Sequence, residues 1–335
     1  EREILRLVVT SFVSTAAPVG SRPLVRRYGL DLSPATIRNT MSDLEEAGYL
    51  EHPHTSAGRV PTDLGYRTFV DELMQATGLS EADKAVLRAE LERLTGQTDD
   101  VLRESSKLLG RLTSLLGVVL APNLATGVLD RIEAVPLSIS RVMFVLSLRG
   151  GLVRTIVLEL DAVPGRGSLD TLVQELNERL AGLTLEEIRR TFPERVRDVD
   201  DRHGLVRLIL DRSHALFAPP EPPGRVRVSG TQHLIEQPEF REPDELRTLV
   251  GLLEDEHFLV ELLEKRDGEE PPPGRAVVTI GREHPGRAER YALVTARYCV
   301  GDAAGTIGVV GPTRMDYARV VGLVEHMANL LSRQE

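Results

Sequence analysis

Apolar positions recur with a helical period at the start of the chain. Ile4, Leu5, Val8, Val9 and Phe12 fall on one stripe, which predicts a helix that Ala16-Ala17-Pro18-Val19-Gly20 brings to an end. Ser21 as N-cap, with Pro23 in the first turn, opens a short second helix through Leu24, Val25 and Tyr28 that stops at Gly29. The third start is Ser33-Pro34, an N-cap followed by proline at the first helical position. Ile37, Met41 and Leu44 follow at i, i+4 and i+7 until Gly48 ends the helix. Tyr49-Leu50-Glu51-His52 and Arg59-Val60-Pro61 then flank a polar, glycine-containing tip, the pattern of two short strands.

Beyond Asp71 the pattern predicts a helix to about Gly96 and another from Asp99 to Leu116. Val128 to Pro136, Ser140 to Arg149 and Leu152 to Leu160 are β-rich with short breaks, the signature of neighbouring antiparallel strands. Two Pro/Gly stretches, starting at Val163 and at Pro219, bracket a helical block holding Leu169 to Leu180, Leu185 to Arg190 and Leu205 to Phe217, which reads as an insertion. Strands are predicted at Arg225 to Ser229, Ala276 to Gly281, Tyr291 to Val300 and Thr306 to Val310, with helices over Asp244 to Leu263 and Arg314 to Leu331. The fold class is therefore α+β.

At 335 residues, with 41% hydrophobic and 27% charged positions, the chain has the makings of two or three packed domains rather than of a disordered segment. The longest apolar run, Leu115 to Ala121, is far short of the roughly 20 residues a bilayer-spanning helix needs. No cleavage-site pattern follows the first helix, so the chain is read as cytoplasmic, with no membrane partner. One cysteine, Cys299, excludes an internal disulfide and a thiolate metal cluster, and reads as a small buried apolar residue. The net charge of −10 opposes nucleic acid unless the charges are segregated. Between Pro18 and Arg67 six arginines meet six acids, so the excess acid lies entirely elsewhere, and this segment can present a basic face if its two signs occupy opposite sides.

That neutral segment carries the most informative element. Seating Ile37, Met41 and Leu44 against a core leaves Ala35, Arg38, Asn39 and Ser42 on the opposite side of the helix, small and polar. A short helix, a turn and such a helix make a helix-turn-helix, whose second helix enters the major groove by its N-terminal residues. Arg pairs with the guanine O6/N7 edge and Asn with adenine N6/N7. A hairpin tip with hydroxyls and Arg59 beside that helix suits sugar-phosphate contact, as in a wing. His52 and His54, at i and i+2 on one side of a strand, lack the further ligands a metal site needs and read as structural or DNA-contacting, and no metal or cofactor is expected.

The stretches Pro18-Val19-Gly20-Ser21-Arg22, Leu32 to Asn39, Leu44 to Leu50, Pro53 to Thr62 and Gly65-Tyr66-Arg67, with Gly308 to Tyr317 near the carboxyl end, resemble the heat-inducible transcription repressor HrcA family. Thr40 departs from the pattern, standing where that family more often carries an acid. The resemblance implies a winged helix-turn-helix over 1–75, a helical linker over 76–97, a GAF-like domain over 98–162 and 224–335, and an inserted helical dimerisation domain over 163–223. It further implies a homodimeric repressor of chaperone operons, bound to an inverted-repeat DNA operator and held active by the GroEL chaperonin. On the residues matched, Ser33, Ala35, Thr36, Arg38 and Asn39 would meet base edges and nearby phosphates, while Ser21, Arg22, His54, Ser56 and Arg59 would hold the DNA backbone.

Two other readings make different demands on the residues. A one-component regulator sensing a small molecule through its GAF-like half would need a convergent polar cluster, which the sequence does not nominate. An enzyme would need a motif, and none is present: no Walker loop, nucleophile elbow, HExxH or zinc-finger spacing. The adjacent carboxylates, such as Glu45-Glu46 and Asp200-Asp201, read as solvated neighbours rather than acid/base pairs. Gly305 to Gly311 has the wrong spacing for a dinucleotide loop. Gly308 and Gly311 are assigned to turns, and Thr313 with Asp316 to a capping box for the last helix.

Overall fold

The structure is a computed structural model of the chain, and it describes residues 1–53, 58–75, 78–93, 98–159, 165–199, 206, 207, 209, 217, 224–264, 271–284 and 286–333. It is a mixed α+β protein that divides into two compact units. The first comprises residues 1–119, 226–296 and 307–328; the second comprises 120–225, 297–306 and 329–335.

Three helices open the first unit: α1 (Arg2–Thr15), α2 (Ser21–Tyr28) and α3 (Pro34–Glu46). Ile4, Leu5, Val8 and Val9 of α1 are buried as the period predicts, but so are Leu7 and Ser11, while Phe12 is only half-buried. Two strands, β1 (Leu50–Glu51) and β2 (Val60–Pro61), pair antiparallel with Leu50 opposite Pro61 and Glu51 opposite Val60. Helix α4 (Asp63–Thr68) runs on as a π-helical turn over Phe69–Leu73. The continuous helix expected from Asp71 is interrupted: Met74 is extended, and Ser80 caps a separate helix, α5 (Glu81–Glu92).

Helix α6 (Thr98–Thr113) leads into β3 (Leu116–Leu120), a fully buried strand where the sequence had suggested the helix would persist to Leu116. Strand β3 sits inside a five-stranded sheet, between β7 (Val226–Ser229) and β10 (Ala303–Pro312), with β9 (Tyr291–Val300) and β8 (Ala276–Ile280) beyond. Glycines of β10 expected in turns lie within the strand instead. A Cβ on Gly308 would come 2.2 Å from the Val294 carbonyl oxygen, so the neighbouring strand leaves room only for hydrogen. The last helix, α12 (Tyr317–Leu331), is capped by Asp316 itself, whose carboxylate accepts the Arg319 N–H, and not by Thr313.

The helical layer is tied to the sheet edge of its own unit by two arginines. Arg67 of α4 forks onto the Glu283 carboxylate, 2.7 Å through Nε, and donates to the Val278 carbonyl at 2.7 Å. Arg314 spans three segments, donating to both Glu239 oxygens at 2.5 and 3.0 Å, to Gln237 at 2.9 Å and to the Val13 carbonyl at 3.1 Å. Its bond to Glu239 raises the affinity of the guanidinium for its proton. Between these grips the rings of Tyr66 and Tyr317 lie 5.9 Å apart, and burial pushes both phenols above their ordinary range.

In the second unit, β4 (Leu129–Pro136), β5 (Arg141–Leu148) and β6 (Val153–Glu159) form the expected antiparallel sheet. Its inner face shares one core with α7 (Arg166–Leu180) and α8 (Leu185–Arg195), through Ile132, Val142, Phe144 and Leu158 against Leu169, Leu176, Leu185 and Phe192. The domain boundary drawn at 163 therefore cuts through a single hydrophobic core. The strands before it and the helices after it cannot bury their apolar faces separately. Asn177 stitches the two layers, accepting the Ile132 N–H at 2.7 Å and donating to the Ile132 carbonyl at 2.9 Å. Cys299 is half-buried rather than sealed. Helices α9 (Thr231–Ile235), α10 (Pro243–Glu254) and α11 (Glu256–Glu264) lie between β7 and β8. Among the described residues no helix is long and apolar enough to cross a membrane.

Candidate nucleic-acid interface

Helix α3 begins as its sequence dictates. The Ser33 hydroxyl accepts the Thr36 N–H at 3.0 Å and lies 2.8 Å from the Thr36 hydroxyl, while Pro34 takes the first helical position, where no N–H is needed. Ile37, Met41 and Leu44 are buried, at 0%, 3% and 5% exposure, and they seat the helix against α1 and α2. Ser33, Ala35, Thr36, Arg38 and Asn39 are all exposed, along one continuous polar surface at the N-terminal end of α3.

Charge along this helix is graded. No acid precedes Asp43, the first turn carries none, and the last turns hold Asp43, Glu45 and Glu46 without a base. A helix optimised in isolation would be charged the other way, with acids at the positive N-terminal end of its dipole. Here that end carries only small side chains and Arg38, for which no ion pair occurs among the described residues. Such an end attracts anions.

The hairpin is fixed to α3 by Arg59. Its main chain bridges Val19, with N–H to carbonyl distances of 2.8 and 2.9 Å in the two directions. Gly58 permits this approach, since a Cβ there would fall 2.4 Å from the Val19 carbonyl group. The Arg59 guanidinium pairs with Glu45 at 2.7 Å, reaches the Ser42 hydroxyl at 3.4 Å and donates to His52 Nε2. His52 Nδ1 in turn lies 2.5 Å from the other Glu45 oxygen, which accepts its proton. Only 14% of the Arg59 side chain is exposed.

Of the ten residues nominated from sequence, the five around α3 come together at the surface, and Arg22 of α2 is exposed as well. Arg59 is brought close but turned inward, with its charge engaged by Glu45. Ser21 is buried at 8% exposure, and it is not the N-cap of α2. Gly20 holds that position with extended backbone, which places Ser21 one residue inside the helix. His54 and Ser56 lie outside the described residues. Ser42, expected on the outer face, turns to Arg59 and is half-buried. Sequence reasoning missed the Glu45–His52–Arg59 cluster; its only trace was that Glu45 and His52 lie seven residues apart across the turn into the hairpin. Among the described residues no three His, Cys, Asp or Glu side chains are placed to share a metal ion.

Exposed basic and small polar groups at the start of a capped helix, packed on two others and flanked by a hairpin, are the build of a DNA-binding transcription regulator. The comparisons with known proteins make that class particular. Residues 99–321 match the family model described as HrcA protein C terminal domain. Two curated proteins named heat-inducible transcription repressor HrcA align over nearly the whole chain. That of Chlorobium phaeobacteroides strain BS1 is 42% identical over 99% of this chain and 96% of its own. That of Chlorobium chlorochromatii strain CaD3 is 43% identical over 99% and 95%. A solved structure described as a hypothetical protein at 2.2 Å resolution superposes with a TM-score of 0.61 at 25% identity, covering 99% of this chain and 97% of that one. The chain belongs to the HrcA family of heat-inducible transcription repressors.

Proposed function

We propose that the chain represses transcription by reading duplex DNA with the N-terminal outer face of α3, in a winged helix-turn-helix formed by α1 to α3, β1 and β2. The observation that carries this reading is the exposure of Ser33, Ala35, Thr36, Arg38 and Asn39 on an acid-free helix end. Arg38 and Asn39 face outward with the donors that major-groove base edges require. Ser33 and Thr36 are suited to phosphates, together with Arg22 on α2. Ser21, being buried, offers only its main chain.

Family membership supports the wider reading: a homodimer on an inverted-repeat operator of chaperone genes, held competent by the GroEL chaperonin, with GAF-like and dimerisation domains behind the DNA-reading helices. A partner that binds only the competent form stabilises it by RT ln(1 + [L]/Kd), so losing that partner to unfolded protein would relieve repression. Mobility shift tests both parts. The probe is the duplex that the wild-type protein enriches from a random pool, set against its scrambled counterpart, with and without the chaperonin. Arg38→Ala is expected to lose discrimination between the two duplexes by about 1–3 kcal/mol. Equal loss on both removes Arg38 from the base-reading set. An active fraction indifferent to the chaperonin defeats the regulatory half.

A further inference from the structure

A half-buried arginine at the base of a DNA-binding hairpin invites assignment to phosphate, and the sequence alone makes that assignment for Arg59. The geometry points elsewhere. We propose that Glu45 withholds Arg59 from the DNA backbone and uses it to fix the hairpin to α3, so that Glu45 is a specificity-determining positioning residue. The inference rests on the reading of α3 as the DNA-reading helix.

Arg59 is held through its main chain and through both terminal nitrogens of its guanidinium, while its buried Nε has no hydrogen-bond partner among the described residues. Its main chain is locked to Val19, the segment that leads into α2, by two hydrogen bonds. Its guanidinium meets Glu45 and Ser42 on α3 and His52 on the opposite arm of the hairpin. Glu45 accepts from both His52 and Arg59, one on each carboxylate oxygen. With 14% and 29% of the two side chains exposed, the pair is largely withdrawn from solvent and from screening by salt. An arginine so engaged contributes no free cation to a phosphate. Of the basic groups nearby, Arg22 and Arg38 remain exposed and without an ion pair among the described residues. The arrangement favours sequence discrimination over bulk attraction. Phosphate contacts raise affinity for every duplex alike, while base contacts reward a rigid, correctly angled helix.

This reading makes the acid, not the base, the guard of specificity, and its consequence is opposite to that of an ordinary structural role. Glu45→Gln frees a long, flexible cation at the edge of the interface. Binding of scrambled duplex is expected to tighten, the slope of log affinity against log salt to steepen by about one unit, and the ratio of enriched to scrambled affinity to fall. Arg59→Ala is expected to lower affinity for the enriched duplex with the salt slope unchanged. Both are measured by fluorescence anisotropy over a salt series on the full chain, with thermal melting confirming that each variant is folded. A shallower slope for Arg59→Ala, or a Glu45→Gln variant that weakens both duplexes alike at unchanged slope, overturns the proposal. If Glu45→Gln melts below the assay temperature, Arg59→Lys decides. Lysine keeps the charge but cannot serve Glu45, Ser42 and His52 together. A fallen ratio without a shallower slope supports the proposal, and either wild-type discrimination or a shallower slope overturns it. A wild-type protein that enriches no duplex defeats the DNA-binding reading itself, an outcome distinct from all of these.

Discussion

Single side chains decide how α3 is presented. Ser33 satisfies the Thr36 amide at the end of α3 proposed to meet DNA, so its hydroxyl oxygen already serves the helix as an acceptor. Ser33→Ala is expected to destabilise the protein by about 1 kcal/mol, read as a lowered denaturant midpoint at unchanged slope. Much of this scale was legible beforehand, because capping and a 100° periodicity are local. Ile37, Met41 and Leu44 were assigned inward and Arg38 and Asn39 outward from spacing alone, and they lie so. Arg59 was not legible. Its partners come from three separate segments, and no local signal says that Val19 would pair with it or that Glu45 would turn toward it. Ser21 failed for a different reason: Gly20 adopts the extended conformation of an N-cap as readily, which moved the helix start by one residue.

Elements were predicted best where they are strongly patterned. The three strands from 129 to 159 pair as expected, with β5 and β6 alternating plainly and β4 broken by a register shift near Leu129, whereas β3, buried at every position, has no period to distinguish strand from helix end. Around residue 163 the strands and the helices that follow share one hydrophobic core, which no local proline or glycine signal reveals. The turn after β8 carries a pH dependence. His284 is buried at 6% exposure, Nε2 has no partner among the described residues, and desolvation lowers its affinity for a proton despite a bond to the Thr279 main chain. The folded state therefore prefers neutral imidazole. The unfolded chain takes up the proton near pH 6.5, so this contribution is complete above that value and declines as pH falls through it. Melting temperature is expected to drop between pH 7.5 and 5.5, and by less in His284→Gln. Equal drops in both proteins would acquit His284.

At the scale of the whole molecule, a net charge of −10 coexists with an acid-free N-terminal end of α3, the surface proposed to read DNA, because the acids are kept to the rest of the chain and to the far end of that helix. Two-fold symmetry of an inverted repeat calls for two reading helices, one for each half-site. Sedimentation at DNA-binding concentrations is expected to report a dimer, and a monomer bound with full affinity would contradict the proposed assembly. Arg314 adds a matter of timing. It grips the carbonyl of Val13 across 301 residues of sequence, and contacts of such separation form late. On the ribosome, the helices that would meet a promoter emerge well before Arg314, yet the last peptide group but two of α1 is tethered only once Arg314 has been made. A nascent or prematurely terminated chain thus exposes a reading head without its anchorage.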